Sequence, residues 1–110
     1  MEANFYEEEG HLIVVASGKL DTIHAPEFTN ILKELLTKQP TSCLLDLSTV
    51  TFLSSSGLQA LLTGAKIAKK DHFDFAVFGM HEMVQDVFTM SGFDQFIKSY
   101  ASKEDALAQS

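Results

Sequence analysis

Short apolar runs alternating with helical periodicity constrain this chain more than any other feature of it. "HLIVVASGKL" (11–20) carries β-branched residues in an unbroken apolar run that Gly18 ends, and it predicts a buried strand. "CLLDL" (43–47) predicts a central strand, "DFAVFGM" (74–80) another, and "QFIKSY" (95–100) a last short one. More than a dozen residues separate each from the next, too many for hairpins and enough for helical crossovers. A chain built this way is driven toward an α/β layer structure with a largely parallel sheet.

The intervening stretches supply the helices. Pro26 suits a first helical position and Glu27 the positive first turn. Phe28, Ile31, Leu32, Leu35 and Leu36 then form an apolar stripe that stops before Pro40. Leu58, Leu61, Leu62 and Ala65 mark a second helix reaching to about Lys70, and Met80, Val84, Val87 and Phe88 a third. Gly92 suits the left-handed position past that helix. "SKEDALAQ" opens like a fourth, with Ser102 as cap and Asp105 three places on. At the start, "ANFYEEE" predicts a partner strand joined to the first run through a turn at Gly10, its edge guarded by Glu7, Glu8 and Glu9. The expected order is β-β-α-β-α-β-α-β-α: a mixed sheet of about four to five strands packed with about four helices. The pattern does not decide how the helices divide between the two faces.

The chain has 110 residues, enough for one core, so residues 1–110 are expected to form a single domain. No apolar run approaches the ~20 residues that cross a bilayer, and "MEANFYEEEG" lacks the basic and apolar regions of a signal peptide. With one cysteine, Cys43, no internal disulfide can form, which fits a reducing compartment. A cytoplasmic protein without membrane insertion is expected. The net charge is −7 and all eight cations are lysines. Without guanidinium groups for bidentate phosphate or guanine contacts, and with "KIAKK" (66–70) better explained as a helix C-terminus, nucleic acid is not an expected partner.

"LSSSGL" (53–58) is the stretch with chemical potential. Serine is among the best helix caps, and Ser56 with Gln59 has the spacing of a capping box. A cap accounts for one serine, not three in succession. The G-x-S-x-G of a nucleophile elbow is absent, and no pattern places His11, His24, His72 or His81 beside a serine. There is no phosphate-binding G-x-x-x-x-G-K-[ST], and the histidines and Cys43 share no metal-ligand spacing. No enzymatic activity, cofactor or metal is expected.

"GKLDTIHAPEF" (18–28), "LLDLSTVTFLSSSGLQALL" (44–62) and "MSGFDQFIKSYASKEDAL" (90–107) resemble STAS domains, and in particular the small bacterial anti-sigma factor antagonists. The resemblance implies a regulator that works by partner switching. The unmodified form would bind a GHKL-type serine kinase that is also the anti-sigma factor. Phosphorylation of the residue before the glycine would release it, and a PP2C-type phosphatase would reverse the change. The implied acceptor is Ser56, with Ser55 as second choice. The implied partner-binding residues are Asp21, Ser54, Ser55, Ser56, Gly57 and Leu58, and Asp46 matches the aspartate that ends the family's central strand. Ser54 stands where many family members carry aspartate. STAS proteins of this size also serve other partner-switching circuits or act as subunits of lipid-transport ATPase complexes, so that reading stays open. Met80, Met83 and Met90 are expected mainly as core filler, with Met83 and Met90 alternatively exposed as contact residues.

Overall fold

In the computed structural model, which describes residues 2–109, two strands are followed by alternating helices and strands. They are β1 (Glu2–Glu8), β2 (His11–Leu20), α1 (Ala25–Leu36), β3 (Ser42–Leu53), α2 (Ser55–Asp71), β4 (Asp74–Phe78), α3 (Glu82–Met90), β5 (Lys98–Tyr100) and α4 (Lys103–Gln109). A single 3-10 turn, Phe93–Gln95, lies between α3 and β5. The predicted order is the observed one. One five-stranded sheet runs β1-β2-β3-β4-β5, antiparallel between β1 and β2 and parallel thereafter.

Because each new strand is added on the same side of the last, right-handed crossovers place α1, α2 and α3 on one face. The main core lies there. Val14, Ala16, Cys43, Leu45, Leu47 and Val77 of the sheet meet Phe28, Leu32, Leu36, Leu58, Leu61 and Phe88 of the helices. The alternate residues Ile13, Leu44, Ala76 and Phe78 face the other way and pack against Ala106 of α4. α4 is capped by Ser102, whose hydroxyl accepts from the Asp105 N–H at 3.2 Å. It is tied to β1 by Lys103, 3.1 Å from Glu8 and close over the Tyr6 ring.

Two strand boundaries differ from the sequence expectation. β2 does not end at Gly18 but continues to Leu20, its register shifting between Gly18 and Lys19. A glycine with φ of +94° inside a strand marks such an irregularity, not a stop. β3 likewise runs past "CLLDL" to Leu53, so Asp46 lies inside the strand and does not end it. What ends at Asp46 is the pairing with β4, since beyond it β3 pairs only with β2. Asp46 accepts a hydrogen bond from the Ser48 N–H at 2.9 Å, just where the strand becomes irregular.

The methionines also divide. Met80 packs partly buried against the core, whereas Met83 and Met90 are 79% and 87% exposed on α3 and so are not core filler. Val87 stands with them on the outer side, leaving Val84 and Phe88 as the buried residues of that helix.

Candidate functional site

The serine turn joins β3 to α2, and its geometry assigns a different task to each hydroxyl. Ser54 is the N-cap, extended at φ −92° and ψ 173°, and its Oγ accepts from the Gly57 N–H at 3.1 Å. The same hydroxyl donates to the Leu20 carbonyl at 3.0 Å, beside the Ser54 N–H, which reaches that carbonyl at 2.9 Å. The start of α2 is thereby bolted to the end of β2. This corrects the assignment of the cap to Ser56. The helix begins one residue before Ser56, which places Ser56 inside the first turn. The S-x-x-Q spacing is therefore coincidental.

Gly57 completes the attachment. A Cβ there would lie 2.5 Å from the Leu20 carbonyl oxygen and 2.9 Å from the Leu53 side chain, so no other residue fits without moving the helix. Gly57 and Leu58 are buried, so they act from beneath the turn and offer a partner no side-chain surface.

Ser55 and Ser56 are left on the outside. Ser55 is exposed, and Ser56, half-buried, has its Oγ 3.5 Å from the Thr22 hydroxyl across the gap to the β2–α1 loop. Ser56 opens onto a shallow groove between α1 and α2 whose walls are Thr22, Pro26, Thr29, Gln59 and Thr63, with no charged side chain among its lining residues. The first turn of α2 contains no acidic residue, and its N–H groups and dipole give that end a partial positive charge.

The neighbouring loop is held by Asp21. Its carboxylate accepts from the His24 N–H at 2.9 Å and lies 2.7 Å from His24 Nδ1. The backbone bond from His24 is the main reason the Asp21 carboxyl is held below its ordinary value of 3.8. Asp21 is thus occupied in fixing the loop from which Thr22 meets Ser56.

β2, β3 and β4 are parallel, so Asp21–His24, the serine turn and the loop leading into α3 all emerge at one end of the sheet. Three exposed apolar residues belong to this end: Ile23 at 82%, Phe52 at 49% and Met83 at 79%. The sequence reading missed Ile23 and Phe52. A β-branched aliphatic in "DTIHAP", between a strand and a Pro-initiated helix, has no core to enter and was the available signal.

The remaining candidates lie elsewhere. One histidine does meet a serine: His11 Nδ1 hydrogen-bonds the Ser42 hydroxyl. Ser42 is 2% exposed at the start of β3, the opposite end from the serine turn, and is closed to a substrate. Cys43 is buried beside it, and burial pushes its thiol up to about 12. Among the described residues no group of His, Cys, Asp or Glu is placed to hold a metal ion, and no helix is long and apolar enough to cross a membrane.

Comparison with known proteins matches residues 2–106 to the STAS domain. The anti-sigma-F factor antagonist RsfB of Mycobacterium tuberculosis is 28% identical over 102 residues, spanning 92% of this chain and 82% of RsfB. The crystal structure of an anti-sigma factor antagonist from Mycobacterium paratuberculosis superposes with a TM-score of 0.87 at 25% identity, covering 98% of this chain and 92% of that one. The Bacillus cell fate determinant SpoIIAA in its phosphorylated form shares the fold at 14% identity, with a TM-score of 0.71 and 98% of both chains covered.

Proposed function

The chain belongs to the STAS domain family, and from that premise we propose that it is an anti-sigma factor antagonist, acting as a single domain over residues 1–110 and switched by phosphorylation of Ser56. The observation that carries the proposal is the contrast within the turn. Ser54 is consumed by the cap and by Leu20, while Ser56 presents its hydroxyl from a helix start that cannot shift.

The unmodified protein binds a GHKL-type serine kinase, the anti-sigma factor, through the end of the sheet that carries Asp21, Ile23, Phe52 and the serine turn. Ser54, Gly57 and Leu58 hold the turn in place, and Ser55 and Ser56 face the partner. In the transfer step the Ser56 Oγ attacks the γ-phosphorus of ATP and ADP leaves. The hydroxyl proton passes to a base supplied by the kinase, since among the described residues the only side chain bonded to Ser56 is another hydroxyl, Thr22. A PP2C-type phosphatase restores the serine.

Phosphorylation adds about −1.5 to −2 charges to a chain already at −7. The phosphate meets the positive end of α2, so the helix tolerates it. No lysine lines the groove beside Ser56 and the chain has no arginine, so no guanidinium clamp is available to draw the phosphate in and rearrange the fold. The effect falls on the interface, where a hydrated dianion must be desolvated against the partner. Incubation with the kinase and ATP, followed by mass mapping, tests the assignment. Phosphate on Ser56 supports it; phosphate on Ser48 or another residue outside 54–56 refutes it.

A further inference from the structure

A second surface, on the far half of α2, is apolar and rimmed by lysines in a chain whose net charge is −7. Between α2 and the 3-10 turn runs an open groove of ≈ 570 Å³ walled by Leu62, Ala65, Phe93 and Phe96, with Lys66 and Lys69 along its rim. Its lining is mainly apolar and includes no carboxylate. Phe96 stands 70% exposed at its edge. On the other side of Phe96 a second concavity shares Ala65, Lys69 and Phe96 and continues to Lys98, with Asp74 the one carboxylate among the described residues that line it. Three of eight lysines therefore surround one exposed phenylalanine in a chain of net charge −7. Among the described residues none of the three forms an ion pair.

We propose that this groove docks an acidic, amphipathic segment of a protein partner, its apolar side chain seated between Leu62 and Phe96 and its carboxylates on Lys66, Lys69 and Lys98. Charge complementarity selects the occupant. The chain as a whole carries a net charge of −7, whereas here an acidic segment meets three lysines that form no ion pair among the described residues, beside an apolar anchor point. A groove open along its length suits a segment of chain better than a small molecule, which needs most of its surface enclosed. Nucleic acid is disfavoured by the absence of arginine and by the overall charge. Lys66 and Lys69 lie eleven and fourteen residues beyond Ser55 on α2, about 16–21 Å at helical rise. The groove therefore works independently of Ser56, and the domain can hold one protein while the other end is switched.

The test uses a fluorescein-labelled helical peptide of alternating Glu-Glu and Leu-Leu pairs, with a Lys-for-Glu peptide of the same pattern as control. Anisotropy gives affinity, and amide shifts on the labelled full chain give location. The acidic peptide is expected to shift Leu62, Lys66 and Phe96. Phe96→Ser and the pair Lys66→Glu, Lys69→Glu should each weaken it roughly tenfold or more. Ser56→Asp should leave it unchanged. These positions are exposed, so the variants keep their fold, which the amide spectrum checks. Equal binding of the Lys peptide, shifts confined to the serine turn, or wild-type affinity in both variants would overturn the proposal. So would self-association through Phe96 in sedimentation, or binding to phosphatidylserine vesicles but not to the acidic peptide.

Discussion

The carbonyl oxygen of Leu20 lies 2.5 Å from the place a Cβ would take on Gly57. That approach fixes the start of α2 against the end of β2, and with it the direction in which Ser56 faces. Gly57→Ala must push the two apart. A destabilisation of about 1–3 kcal/mol, the usual range for overpacking, is expected from urea unfolding. Because the same movement displaces Ser56, the proposed phosphorylation there should slow even where the variant remains folded.

Ser54 and Ser55 should separate cleanly in the same measurement. Ser54→Ala removes a cap and the bond to Leu20 and is expected to cost about 1–2 kcal/mol. Ser55→Ala touches no side-chain hydrogen bond and should stay within about 0.5 kcal/mol of the wild type.

Much of this was legible in the sequence, and the failures have physical causes. Strands buried on both faces read as apolar runs, which is why "LIVVA", "CLLDL" and "FAVF" were visible. Beyond Asp46 the strand loses its β4 neighbour and becomes half-exposed, so "STVTF" carries no such signal. Gly18 reads as a stop because glycine usually punctuates a strand; here β3 goes on pairing with β2 across a register shift at that point. The cap moved from Ser56 to Ser54 because three adjacent serines satisfy the same local preference, and only the Leu20 carbonyl distinguishes them. Met83 and Met90 lie off the buried stripe of α3, and composition alone could not say that nothing covers them.

His72 ends α2 in the left-handed region, at φ 63° and ψ 46°, and is exposed. That conformation strains a residue with a Cβ and suits glycine. His72→Gly is expected to stabilise the protein by roughly 1 kcal/mol in urea unfolding, without affecting either proposed surface.

Two of the shifted groups, Asp21 and Cys43, give opposite pH limbs. Asp21 has a lowered native value, so its contribution is present above 3.8 and is lost as pH falls through the native value. Asp21→Ala should therefore be less stable than wild type at pH 7, with the gap closing on acidification. Cys43 is raised, so its contribution is present below 9.0 and is lost as pH rises toward about 12. Cys43→Ala should flatten that alkaline decline. In the folded wild type the thiol should resist iodoacetamide at pH 8, and react only as the protein unfolds.

The central claim is that a charge on Ser56 changes binding and not the fold. Calorimetric titration of the kinase partner with the unmodified protein, its Ser56-phosphorylated form, Ser56→Asp and Ser56→Ala addresses it directly. A mismatched charge at an interface costs about 2–5 kcal/mol, so the phosphorylated form should bind tens- to thousands-fold more weakly. Ser56→Asp should be weakened in the same direction, Ser56→Ala should bind like the unmodified protein, and all four should keep the same amide spectrum away from the turn. Equal affinity of the phosphorylated and unmodified forms, or loss of binding that accompanies unfolding of α2, would contradict it.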